Sequence, residues 1–160
     1  NLGKEYYRTS EANTQINKIN IAVKKVKTRI HGRKPKVLVL MCLPGANYMI
    51  LTNKSYVGNL VQIAGGENVY HSNNQIYLSP SNESLATKNQ DVILRLEHAL
   101  PKVTLPQFKR EFKTNSLWKK MLAVKNQRVY DLQQPDFNAS ANMNVPIALN
   151  KVSHWLYPEK

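Results

Sequence analysis

The sequence predicts an α/β fold, a mostly parallel sheet flanked by helices on both faces, and three observations carry that prediction. Short continuous apolar runs at Lys36–Met41, Asp91–Leu96 and Arg128–Leu132 read as strands buried on both faces. Between them, apolar residues recur at helical spacing. The links are short, and strands alternating with helices over short links favour helices packed on a parallel sheet. At 160 residues the chain has the size of one ordinary domain and can bury a core.

From Ser10 to Ile30, Ile16, Ile19, Val23, Val26 and Ile30 fall three and four apart, one stripe of a long amphipathic helix with Ser10 as its cap. His31-Gly32 and Pro35 end it. After the first strand, Cys42 to Asn47 turns the chain across the top of the sheet, and Tyr48-Met49-Ile50-Leu51 forms a second apolar piece. Ser55 to Ala64 reads as a helix closed by Gly65-Gly66. Brief strands follow at Asn68-Val69-Tyr70 and Gln75 to Leu78, then a short helix from Ser81 to Lys88 with Ser81 as cap. Pro106 to Lys113 and Ser116 to Leu122 are further helical pieces. A polar loop, Gln133 to Asn144, leads to a last helix from Val145 to Leu156, with Pro146 in its first turn.

Charge and cysteine content narrow the function classes. Twenty-three Lys and Arg stand against ten Asp and Glu, for a net charge of +13. That excess favours an anionic surface or ligand, but the basic residues alternate with apolar positions of predicted helices, the pattern of a solvated face, so nucleic acid is not expected as a partner. One cysteine, Cys42, leaves no internal disulfide and no multi-cysteine zinc site. No apolar run reaches the roughly 20 residues that span a bilayer. The N-terminal Asn1-Leu2-Gly3-Lys4-Glu5 lacks both a signal-peptide core and an initiator Met, so a processed or excised chain is expected.

Ligands of open α/β sheets sit beyond the carboxyl ends of the strands. There the loops after Met41, Leu96 and Leu132 form a common rim that collects Asn47, Tyr48, His98, Phe137, Asn138 and Asn142. His98 stands at the end of a strand, where an imidazole ligates a metal, moves a proton or donates a hydrogen bond. Its simpler role is to cap the strand end. Tyr48, Tyr56, Tyr70, Tyr77 and Phe137 would wall a flat apolar ligand, or else serve as packing. Cys42 and His98 keep a thiol-dependent enzyme open as an alternative. No nucleophile elbow, phosphate loop or dinucleotide fingerprint is present.

The run from Thr52 to Val69, with Ser55-Tyr56-Val57-Gly58-Asn59-Leu60 at its start and Ala64-Gly65-Gly66 closing the helix, resembles a signature of the substrate-binding proteins of ABC importers. It matches the C-terminal lobe of the long-helix class (class III), which handles siderophores, corrinoids and haem. Lys88 to Leu94 resembles that class's Asn-Pro-Asp motif at the start of a strand, with Gln90 in place of Pro. Similarity to the haem-binding lipoproteins of the class runs on through Leu2 to Glu5, Pro35 to Met41, Leu94-Arg95-Leu96 with His98, Glu111 to Asn115 with Trp118-Lys119, and Ala123 to Asn126 with Val129 to Leu132.

The resemblance implies two lobes joined by a long helix, with residues 1–34 as the end of the N-terminal lobe plus that helix and 35–160 as the C-terminal lobe. It implies a non-enzymatic carrier that holds haem, its transported ligand, and delivers it to an ABC permease. His98 is then the axial iron ligand, and Asn47, Tyr48, Tyr56, Phe137, Asn138 and Asn142 line the haem pocket. The family's second axial ligand is a methionine of the N-terminal lobe, which Met41, Met49, Met121 and Met143 do not match by position. Glu83 matches the acidic residue that docks the permease, although the helix dipole alone favours an acid in a first turn. The implied location is the outer face of the cell membrane, held by a lipid anchor on a segment that precedes this chain. With the N-terminal lobe absent, the apolar stripe of the connecting helix is expected to promote self-association. A siderophore or corrinoid lobe of the same class is the remaining alternative.

Overall fold

Lys36–Leu43 (β1) is the central strand, and six of its eight residues are buried. The computed structural model describes residues 2–97, 101–132 and 145–158, with side chains from residue 13 onward. Along the chain follow Asn47–Leu51 (β2), Glu67–Asn68 (β3), Tyr77–Leu78 (β4), Val92–Glu97 (β5) and Val129–Leu132 (β6). The helices are Leu2–Lys27 (α1), Tyr56–Ile63 (α2), Asn82–Thr87 (α3), Pro101–Thr114 (α4), Ser116–Lys119 (α5), Leu122–Lys125 (α6) and Val145–Leu156 (α7). The sheet runs β4-β2-β1-β5-β6, and β3 also pairs with β1. β3, β5 and β6 run parallel within it, while β2 is antiparallel to β1.

The alternation of side chains along β1 and β5 divides the core in two. Val37, Val39, Met41, Leu94 and Leu96 face α1, α2 and α7. Leu38, Leu40, Cys42 and Ile93 face Phe108 and Phe112 of α4 and Trp118 of α5. Arg33 and the Lys36 backbone N–H both donate to the Asp91 carboxylate, at 3.0 and 2.8 Å, which ties the starts of β1 and β5 together. Gln90, fully buried, donates to the Leu85 carbonyl at 3.4 Å.

Local chemistry sets the helix ends. Ser81 Oγ accepts from Ser84 N–H at 3.3 Å, the predicted cap of α3, and Ser55 Oγ accepts from the Gly58 N–H at 2.9 Å, capping α2 in the same way. Gly65 follows α2 at φ 90°, the left-handed conformation that closes a helix, and its carbonyl accepts from the Tyr157 hydroxyl at 2.8 Å. Arg128 donates to the Trp155 and Leu156 carbonyls at 3.1 and 3.2 Å, placing a cation at the C-terminal end of α7.

Several expectations change. Ser10 lies within α1 and does not cap it, because nothing between Leu2 and Ser10 breaks the helix. Of the predicted stripe only Val26 is fully buried, and Ile16 is 52% exposed, because α1 packs on α7 and α2. The chain does not cross the sheet after Met41: β1 continues to Leu43, a 3-10 turn at Pro44–Ala46 reverses it, and β2 returns alongside as a hairpin. α4 starts at Pro101, and Pro106 sits on its exposed side inside the helix. The polar loop from Gln133 to Asn144 lies outside the described residues.

Candidate functional site

The parallel strands end level with one another: Cys42 pairs with Glu97, and Leu96 with Leu132. The carboxyl ends of β1, β5 and β6 therefore lie at the same end of the sheet. The turn after β1 is described in full. Ala46 holds φ 60°, a conformation alanine adopts only under constraint. Two hydrogen bonds brace the turn there, from the Gly45 N–H to Gln107 Oε1 and from Asn47 Nδ2 to the Pro44 carbonyl, each 3.1 Å.

Asn47 and Tyr48 lie at this edge. Asn47 is exposed. Tyr48, opposite Cys42 in the β1–β2 register, packs its ring edge-on against Trp118 at 5.2 Å and donates its hydroxyl to Asn82 Oδ1 at 3.3 Å. Burial first, then the nearby Tyr70, raise its phenol pKa. Tyr56 opens α2 on the opposite face of the sheet, among Met41, Leu51 and Leu96. Its hydroxyl is buried and has no hydrogen-bond partner among the described residues, and burial raises its pKa. Asn47 and Tyr48 are therefore brought together, and Tyr56 is separated from them by the sheet. His98, Phe137, Asn138 and Asn142 lie outside the described residues.

Directly beneath the rim is a polar cluster that sequence reasoning did not assign to the site. Arg95 forks onto Asp131 with bonds of 2.8 and 2.9 Å while its guanidinium lies 4.6 Å from the centre of the Phe112 ring. Glu97, two residues on and on the same face, is 5% exposed, and its Oε1 has no hydrogen-bond partner among the described residues. Burial above all, and then the Asp131 carboxyl beside it, push its pKa up to about 8, although Arg95 pulls the other way. The signal in the sequence is a pair of charged residues two apart inside an apolar strand, which puts both on one face.

Cys42 lies against this cluster and is fully buried. Burial, followed by the Glu97 charge, drives its thiol pKa well above the ordinary range. It stays protonated, whereas a nucleophilic cysteine needs its thiolate. Burial and the raised pKa both disfavour the thiolate on which the thiol-enzyme alternative depends. Among the described residues no group of three His, Cys, Asp or Glu side chains is placed to hold a metal ion.

Glu83 is exposed in the first turn of α3, and no ion pair engages it among the described residues. The Tyr48–Asn82 hydrogen bond links the start of α3 to the rim, which positions Glu83 beside it.

A family model described as "Periplasmic binding protein" matches residues 1–135. The high-affinity heme uptake system protein IsdE of Staphylococcus aureus is 39% identical over 161 residues, covering 99% of this chain and 55% of that protein. The crystal structure of S. aureus IsdE complexed with heme superposes with a TM-score of 0.86 at 39% identity, over 98% of this chain and 61% of that one. An ABC transporter substrate-binding protein from Listeria monocytogenes gives the same TM-score at 40% identity, over 99% of this chain and 62% of that one. The chain thus spans about half the length of the curated relatives it matches.

Proposed function

Because the chain belongs to the periplasmic binding protein family, we propose that it is the C-terminal lobe, with the connecting helix, of a carrier that binds haem and hands it to an ABC permease. The observation that carries this reading is the 39% identity, sustained over 98% of the chain, to a protein whose crystal structure is a complex with heme. In this reading residues 1–34 are the end of the N-terminal lobe and the connecting helix, and 35–160 are the lobe. The carrier works at the outer face of the cell membrane, lipid-anchored through a preceding segment, and catalyses no reaction.

His98 ligates the haem iron through a neutral imidazole, and a second ligand comes from the other lobe. Asn47, Tyr48, Phe137, Asn138 and Asn142 wall the porphyrin, and Tyr56, on the other face of the sheet, does not join Asn47 and Tyr48 in that wall. The positive charge of the chain favours the two propionates. Glu83, exposed and unengaged, contacts an arginine of the permease. Ile21 and Ile147, each more than half exposed, line a groove between α1 and α7. Two copies of the chain pair through this groove in our reading, its exposed apolar side chains being covered by the partner copy.

Haemin titration of the chain and of His98→Ala, followed by visible absorption, tests the reading. A saturable Soret shift that His98→Ala loses supports it. No haemin shift in the two-lobed protein, with tight binding of an iron-loaded siderophore that His98→Ala leaves unchanged, overturns it in favour of a siderophore lobe, since such a ligand brings its own iron donors.

A further inference from the structure

Between Pro101 and Lys125 stand seven basic residues and one acidic residue, Glu111. All seven basic side chains are exposed, and neither ion pair among the described residues uses any of them. Glu111 is half-buried and accepts from Asn115 Nδ2 at 3.1 Å. The α4–α6 layer therefore carries a concentrated positive field on one side of the molecule.

This face is not flat. A cleft of about 470 Å³ opens between α3, α5 and α6, with Leu85 and Met121 in its lining and Lys88, Asn89, Ser116, Lys120 and Lys125 around it. Among the described residues no carboxylate lines it. Asn89 precedes β5 and α6 precedes β6, so the cleft lies at the amino ends of these strands, the end of the sheet opposite the rim. A ligand held here leaves the rim free.

We propose that the cleft between α3, α5 and α6 and the lysines around it bind a linear phosphodiester polymer, with successive phosphates lying against the exposed Lys120 and Lys125, while the half-buried Lys88 holds its ammonium 5.0 Å from the centre of the Tyr70 ring. Charge complementarity selects a polyanion. Concavity selects a chain over a bilayer, whose flat surface does not enter a cleft. Nucleic acid is disfavoured because, among the described residues, no aromatic side chain lines the cleft as a platform for bases: the rings of Phe108, Phe112 and Trp118 are buried, and the Tyr70 ring lies under the Lys88 ammonium. A polymer of polyol phosphates, which offers charge without bases, fits what remains.

The test uses a poly(glycerol phosphate) chain as probe, with binding followed across a salt series. Lys120→Glu/Lys125→Glu is compared with Lys24→Glu/Lys27→Glu on α1, exposed positions that make the same change in net charge. Lys120→Gln/Lys125→Gln repeats the cleft substitution without reversing charge, and circular dichroism checks that each variant is folded. The expected result is binding by the wild-type chain that weakens about tenfold in the cleft variant, with the salt slope falling by about two, while the α1 variant stays near wild type. Equal weakening in both variants would mean attraction by net charge alone and overturns the proposal. So does the absence of binding at low salt, or binding of anionic vesicles or single-stranded RNA in preference to the polymer.

Discussion

Arg95 and Asp131 face each other across the β5–β6 pairing and join through two hydrogen bonds of 2.8 and 2.9 Å, with side chains only 6% and 17% exposed. The pair lies just beneath the rim and fixes β6 to β5 at the point where the chain leaves the sheet. Breaking it strands a buried charge. Asp131→Ala is expected to cost about 3 kcal/mol, whereas the double change Arg95→Met/Asp131→Leu recovers most of that loss. Urea unfolding of the three proteins measures both.

Glu97 gives the same cluster a pH signature. Its carboxyl is ordinary in the unfolded chain, at 4.5, and raised to about 8 when folded, so the native state holds the proton more tightly. Its contribution to stability is complete below the unfolded value and is lost as pH rises through the folded one. The urea midpoint of the wild-type chain should therefore fall between pH 5 and pH 8.5. Glu97→Gln, which keeps the shape and removes the titration, should flatten that slope.

Cys42 should be inert. Its burial and raised thiol pKa predict that a maleimide or disulfide reagent labels the native chain only as fast as it unfolds, and labels it at once in denaturant. Cys42→Ala should leave haemin binding unchanged. Rapid labelling of the native thiol would restore the enzyme alternative.

Gly58 is required by space. A β-carbon there would lie 2.1 Å from the Thr52 carbonyl and 2.9 Å from Ser55 Oγ, the cap of α2. Because the first obstacle is backbone, Gly58→Ala should cost about 3 kcal/mol, more than Ser55→Ala, at about 1 kcal/mol. Thermal unfolding midpoints order the two.

Elements whose ends are set by local chemistry were legible in the sequence. α7 spans Val145–Leu156 as its periodicity and Pro146 indicate, and α2 and α3 begin at Ser55 and Ser81 because short polar side chains satisfy free backbone N–H groups there. Strand direction was not legible. The apolar run Tyr48–Leu51 has the same pattern in either orientation, and the turn at Pro44–Ala46 decides it. The start of α4 is not legible in the sequence because Pro106 suits a first turn, a place that Pro101 fills. Within the site, Asn47 and Tyr48 follow from strand ends, whereas the Arg95–Asp131 pair depends on the register of two strands 36 residues apart.

The central claim is that the His98 imidazole binds haem iron, and pulsed electron paramagnetic resonance on ferric haem-loaded protein with ¹⁵N-labelled histidine tests it most directly. The predicted result is a ¹⁵N coupling to the iron that disappears in His98→Ala. A stoichiometric haem complex with no histidine nitrogen coupling, or a coupling that survives His98→Ala, would contradict it.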